Sequence, residues 1–598
     1  MSRTPAAALL GLVLGCLALG PALGWGFVLA QDMVFVPDPE FSRFTFGLSG
    51  GAPRVVPSDA VVTALSAVLP GELVQKVVLL LVFVLGCSGA ARLVPSDGRG
   101  LGRGMGIGPG LVAGAFYVWN PYVAERLLMG QWALLLGYAG LPWVVAAAWA
   151  PAPRAGRLAV AALPAAVGGF AAMTVTALTA LPVAAFSGAP VRGAPLRDEP
   201  LPGAPAWRPR VRRVVVAAVV LGAFSLPWLV PALLRPAAVT GDGVGVEAFA
   251  ARADGPFGAV GSLLSLGGIW NAYAVPAGYG TPVGATVRLL LALAGIAGFA
   301  AFAGFSWRGR VVRRELPWRW GLVAAAVAGF GVACLGVTAP GRAALTGLIH
   351  LWGGFAVFRD AQQFVAPLAL LEAAGLGLAA AAASRALADR ALADRALTDR
   401  ALADRSVAGR AVPGRSFGGG GRSSAGGGRW VAALVAVPLA VLPTMAWGGA
   451  GALRAVTYPA GWTAARETIR RDPEPGDVLV LPFESYRRFP WNGGRPVLDP
   501  AQRFFAGRGR EVVADDTVRV GAMVVPSEDE RAQMVERVLE APSPSLAGAG
   551  FRYVVVDAGT PAERRDFDRL LQGARLLVDT PDLRLYRFGG PIAQGSSE

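Results

Sequence analysis

"LAVAALPAAVGGFAAMTVTALTALPVAAF" (residues 158–186) decides how this chain is threaded. Its 29 residues are apolar enough to lie in a bilayer, yet long for one helix and short for two, because a span takes about 20 residues. Paired glycines in its centre, "AAVGGFAAM", offer a place to turn. The next segment, "VRGAPLRDEPLPGAPAWRPRVRR" (191–213), carries six arginines. If 158–186 crosses once, those arginines fall on the side opposite the other basic loops, against the positive-inside tendency. If it turns back, all the basic connections share one side. They are "ARLVPSDGRGLGRG" (91–104), "PAPRAGR" (151–157), the six-arginine segment, "WRGRVVRRELPWR" (307–319) and residues 385–429. A hairpin is therefore expected, with the N-terminus and the basic loops cytoplasmic.

Composition agrees. Of 598 residues, 54% are hydrophobic and 16% charged, with a mean hydropathy of +0.50, too little polarity for one soluble globule of this size. The apolar runs are 6–29, 75–94, 104–119, 133–150, 158–186 taken twice, 213–234, 285–306, 319–340, 364–384 and 430–450. The expected fold is thus mainly α, a polytopic bundle of about 11 membrane segments over residues 1–450. The net charge of +15 is spread over the connections and gives no nucleic-acid face. Cys16, Cys87 and Cys334 all sit in apolar runs, which excludes a disulfide framework or a cysteine metal site.

This threading places every segment with aromatic or polar texture outside: a first outer loop (30–74), "WNPYVAERLLMGQW" (119–132), a loop ending in "SLLSLGGIWNAYAVPAGYG", "HLWGGFAVFRDAQQF" and the chain from 451 onward. Inside lies the low-complexity linker 385–429. Its repeat "RALADRALADRALTDRALADR" spaces each arginine four residues before an aspartate, which suits a solvated helix. The chain from 451 to 598 reads as a small extracytoplasmic α/β domain. "GDVLVLPF" and "FRYVVVDAG" are buried-strand patterns, "SEDERAQMVERVLEAP" is a Ser-capped helix, and "ARLLVDTPDLRLYRF" is a terminal hairpin. It holds no phosphate loop and no histidine, so its expected role is that of a lid or an acceptor-binding unit. "PFESYRRFPWNGGRPVLDP" (482–500), its most aromatic stretch, is expected to rest on the membrane domain, to hold sugar, or to be a surface loop.

The first span delivers the chain into "FVLAQDMVFVPDPEFSR" (27–43), where Asp32, Asp38 and Glu40 follow closely. A carboxylate beside a bilayer is usually kept hydrated unless a site uses it. Asp32 has apolar neighbours on both sides, which should raise its pKa and suit it to take a proton from a hydroxyl. Elsewhere outside, Glu125 and Arg126 are expected on a short interfacial helix, with Arg126 able to clamp a phosphate. Arg359 needs a partner, either Asp360 or a ligand phosphate. Glu125, Trp270, Asn271 and Gln363 are candidate substrate contacts. Trp119, Tyr122 and Trp132 are explained by an aromatic belt, and His350, the one histidine, by packing.

An acidic residue released by the first span into a sizeable outer loop, ten or more spans and a C-terminal outer domain together resemble the C-type membrane glycosyltransferases of bacteria. Many members carry adjacent or near-adjacent acids; here Asp32 stands alone and "DPE" follows. The resemblance implies a plasma-membrane enzyme that takes a sugar from a polyprenyl-phosphate donor and passes it to a glycan or cell-envelope acceptor. It also implies an acid of the first outer loop as base. Membrane lipid is the expected surrounding partner, and nucleic acid is not expected. No cofactor is demanded; the three acids are hard oxygen ligands that a divalent metal would accept. The competing expectations are a non-catalytic scaffold and a transporter or flippase, the latter calling for ionisable residues within spans.

Overall fold

The computed structural model describes residues 3–95, 106–150, 154–187, 207–235, 243–301, 316–407, 423–542, 544–557, 565 and 567–589. Most of the six-arginine segment, part of the 91–104 and 307–319 loops and residues 408–422 of the linker lie outside these residues.

Among the described residues six helices are long and apolar enough to cross a membrane: Thr4–Leu23, Gly71–Leu93, Ala155–Phe186, Arg208–Leu234, Pro282–Phe299 and Ala361–Leu387. Two bent pairs bring the number to 8. Gly108–Val118 and Trp132–Ala148 were expected as spans, but at 11 and 17 residues they fall short of that length. The expected count of 11 is therefore not reached by length and composition alone.

The Ala155–Phe186 stretch is helical on either side of Gly169, whose φ of 73° and ψ of −151° break it. A Cβ at Gly169 would stand 2.5 Å from the Val56 carbonyl oxygen, and one at Gly168 closer still to that of Ala133. At the other end, Arg213 donates to the carbonyls of Trp149, Ala184 and Ser187. Trp149 ends the Trp132–Ala148 helix and Ala133 lies near its start. The stretch therefore runs along that helix and back again, with glycine at the turn because a side chain there meets Val56, in the segment between the first two long helices.

The bent pairs have local causes. Arg319–Leu335 gives way to Ala339–Leu351 at 96°, where the Thr338 side chain accepts from the Gly341 N–H and Pro340 opens a new helix. Arg429–Val441 turns by 76° into Pro443–Ala450. Close helix approach in the bundle relies on small residues: a Cβ at Gly295 would meet the Glu372 carbonyl oxygen at 2.8 Å. The Ala366–Val407 helix runs on through the arginine–aspartate repeat.

The C-terminal part holds a five-stranded sheet in the order Ala574–Asp579, Arg584–Phe588, Phe551–Val556, Asp477–Leu481, Val512–Val513. The last three strands are parallel and the first two form an antiparallel hairpin. The Glu530–Glu540 helix is capped by Asp529, which accepts from the Arg531 N–H, rather than by the expected serine. Two strand contacts join this unit to the segment after the first span. Phe27 pairs with Val456, and Gln31 bridges Val497 of the small hairpin Tyr486–Arg488/Pro496–Leu498.

Candidate active site

Asp32 sits in a tight turn between Ala30 and Met33, which bridge each other. Gln31 donates to Pro496 O at 2.8 Å and accepts from Leu498 N at 2.8 Å. On the other side, Asp32 N donates to Met129 O at 3.0 Å. Gln31 has a φ of 47°, a left-handed conformation that non-glycine residues hold only when their surroundings impose it. The turn is thus pinned from both sides, and the Asp32 side chain points into a cavity of about 800 Å³.

Two side chains hold that carboxylate. Tyr486 Oη donates to Oδ1 at 2.5 Å and Gln131 Nε2 to Oδ2 at 3.3 Å. Burial raises the Asp32 pKa above the ordinary carboxylate value, outweighing the lowering by these two bonds. Behind Gln131 stands Arg126, fully buried, with its Nη1 on Gln131 Oε1 at 2.5 Å. Its guanidinium grips Asp360 through two bonds of 2.5 and 2.8 Å and also donates to Gln362. Arg126 is therefore saturated by protein and does not line the cavity; it acts on the site through Gln131 and Asp360. The Pro121–Leu128 helix is buried along its whole length, not interfacial.

Arg359 does reach the cavity. Its partner is neither Asp360 nor a bare ligand site but Glu528, whose Oε1 lies 2.9 Å from Nη2. The other oxygen of Glu528 takes Arg54 Nη2 at 2.5 Å. Gln363 lines the cavity while its side chain donates to Val357 O, and Trp270 lines it with an edge-to-face contact on Phe249. Asn271 stands behind Gln31, donating to Gln31 Oε1 at 3.4 Å. His350 is on the cavity lining and exposed.

The other acids are elsewhere. Asp38, its side chain 79% exposed, faces Arg466 at 3.9 Å. Glu40 pairs with Arg470 at 2.5 Å. Neither lines the cavity with Asp32, because Pro37 and Pro39 carry the chain away along the C-terminal unit. Among the described residues no three His, Cys, Asp or Glu side chains form a group that could hold a metal ion. Glu125 is buried beside Asp254, Tyr279 and Gly267, and accepts from Ile269 N at 3.2 Å. Burial lifts the Glu125 pKa well above its usual value, and burial lifts that of Asp254 to about 6. Glu125 is thus a structural acid behind the site. Trp119, Tyr122 and Trp132 are buried too and form no lipid-facing belt: Trp119 donates to Leu442 O, Tyr122 to Gln363 O, and Trp132 packs on Phe35.

Sequence reasoning missed Gln131, Tyr486, Arg54 and Glu528. Gln131 and Tyr486 lie within stretches singled out for their aromatic texture; Arg54 and Glu528 carry no local signal. Also unnoticed was the cavity's apolar wall. Trp228, Leu229, Ala232 and Leu233 from Arg208–Leu234, with Ile349 and Trp352 at the end of Ala339–Leu351, make one side of it. Leu233 and Trp352 are exposed as well.

No protein-family model matches the chain, and no curated protein matches it. Among solved structures, the fold matches a cryo-electron-microscopy structure of the arabinofuranosyltransferase AftD from Mycobacteria with a TM-score of 0.53 and 16% identity. The match covers 100% of this chain and 40% of AftD, so the chain spans well under half of that protein's length. The chain therefore shares its fold with part of AftD.

Proposed function

We propose that this protein is a membrane glycosyltransferase that moves a sugar from a polyprenyl-phosphate donor to a hydroxyl of a cell-envelope glycan, on the outer face of a bacterial plasma membrane. The observation that carries the reading is the cavity itself. Asp32, with a raised pKa, shares it with Arg359 and Arg54, beside an apolar wall in which Leu233 and Trp352 are also exposed. A volume of about 800 Å³ is within the range that holds a sugar and its phosphate. The apolar wall suits a prenyl chain entering from the bilayer.

In this mechanism Asp32, ionised, accepts the proton of the acceptor hydroxyl. The acceptor oxygen forms its bond to the anomeric carbon as the bond from that carbon to the phosphate oxygen breaks. The electron pair leaves on the polyprenyl phosphate, where guanidinium charge stabilises it. One displacement inverts the anomeric configuration. Gln131 and Tyr486 orient the carboxylate, and Arg126 fixes Gln131.

The direct test is turnover by protein reconstituted in lipid nanodiscs. Because the structurally similar protein is an arabinofuranosyltransferase, polyprenyl-phosphate arabinofuranose is the first donor to try. Release of polyprenyl phosphate together with an inverted glycoside supports the reading. Donor movement across the bilayer without glycoside formation would favour a flippase, and neither outcome, over a panel of sugars, a scaffold.

A further inference from the structure

The described residues that line the cavity include a four-charge group outside the base and its supports. Glu528 bridges Arg54 and Arg359, one carboxylate oxygen on each guanidinium, at 2.5 and 2.9 Å. Asp516 stands alongside and accepts from Glu528 N at 3.1 Å and from the Ser527 hydroxyl. The three chain regions involved are far apart in sequence. Arg54 belongs to the first outer loop, Arg359 to the short turns before the Ala366–Val407 helix, and Glu528 to the turn that starts the Glu530–Glu540 helix of the C-terminal unit.

Two guanidiniums spanned by one carboxylate have the arrangement in which two non-ester oxygens of a phosphate would span them. The Glu528 side chain is nearly buried, and so is that of Arg359, while Arg54 is 53% exposed. Burial works against the Glu528 charge, yet Arg54 and Arg359 hold its carboxyl below the usual glutamate value, so it is ionised and a true counter-ion at neutral pH. An incoming phosphate cannot pair fully with both arginines while this carboxylate does.

We propose that Glu528 is an exchangeable counter-ion for the donor phosphate: phosphate entering between Arg54 and Arg359 displaces it, and its return helps expel the product. This rests on the lipid-phosphate reading above and adds a regulatory role for the C-terminal unit. Exchange breaks the two ion pairs that tie the Ser527–Asp529 turn to the membrane part, so donor loading loosens that corner of the unit. Transfer converts a phosphate diester into a monoester of higher charge, which two free guanidiniums would retain; a tethered carboxylate competes at each turnover.

The test is equilibrium binding of farnesyl monophosphate to the full chain in nanodiscs, with inorganic phosphate as the second probe. Glu528→Gln keeps shape and removes the competing charge. It should tighten farnesyl monophosphate about tenfold, the scale of one charge-assisted hydrogen bond. Glu528→Asp, one methylene shorter, should fall between the two and guards against a folding defect in the glutamine variant. Adding Arg359→Gln to Glu528→Gln should abolish the gain. A lipid headgroup site tightens for farnesyl monophosphate well beyond inorganic phosphate, and equal tightening identifies a free-phosphate site served by the same exchange. In the wild type, farnesyl monophosphate should raise amide exchange in residues 527–533. Unchanged or weaker binding by both folded variants, or no binding to any of the proteins, overturns the inference. Binding needs no turnover, so the Asp32 assay judges the glycosyltransfer reading separately.

Discussion

Tyr486→Phe removes one hydroxyl and keeps the ring, and its consequence can be worked from one contact. The phenol donates to Asp32 Oδ1 at 2.5 Å, and burial raises its own pKa well above the ordinary value, so it is the donor throughout the working range. A hydrogen bond to an ionised group contributes roughly 1.5–3 kcal/mol. It favours the charged form of Asp32 only, and one pKa unit corresponds to about 1.36 kcal/mol. Losing it should therefore raise the Asp32 pKa by about 1–2 units beyond the rise that burial already causes. The sign follows from the chemistry: the base must be ionised, so kcat/KM falls as pH drops through its pKa. The acid limb of the profile should move to higher pH by about 1–2 units. Below the new limb the variant should lose about 10- to 100-fold, while on the alkaline plateau it should stay within about threefold of wild type. The assay is kcat/KM for donor against pH in nanodiscs. An acid limb that superimposes on wild type, or moves to lower pH, would refute the assignment of Asp32 as the titrating base.

Asp38→Asn and Glu40→Gln, whose side chains face Arg466 and Arg470 away from the cavity, should each leave kcat within about twofold of wild type. Gly267→Ala would set its Cβ 2.7 Å from both Asp254 Oδ2 and Tyr279 Oη and 3.0 Å from Glu125 Oε1. It should cost about 1–3 kcal/mol of stability, read as a lowered thermal midpoint in detergent.

The bundle was legible because membrane helices are written in composition. A turn within 158–186 was expected from arginine placement and from the paired glycines, and Gly169 is where the helix breaks. The bend after Leu335 was equally present in the sequence as Thr338 and Pro340, a cap followed by a helix-starting proline, but the apolar run through 340 concealed it. Strands Asp477–Leu481 and Phe551–Val556 were readable as short buried runs of β-branched residues.

The site was legible only in part, for a physical reason. Asp32 could be singled out because it lies in the largely apolar stretch FVLAQDMVFV, a local property. Its partners come from folding: Gln131 lies 99 residues away and Tyr486 lies 454 away. A polar side chain in an outer loop gives no sign of which cavity it enters. Arg126 and Arg359 look alike in sequence, yet one is saturated inside the protein by Asp360, Gln362 and Gln131, while the other reaches the cavity paired with Glu528. Glu372 shows the same limit: it lies within a span and is fully buried, where composition gives one charge in an apolar run no weight.

The most direct measurement of the central claim is steady-state turnover of Asp32→Asn beside farnesyl monophosphate binding by the same preparation. If Asp32 takes the acceptor proton, kcat falls about 10²- to 10⁴-fold while binding stays within about threefold of wild type. A variant that turns over at close to the wild-type rate would contradict the account.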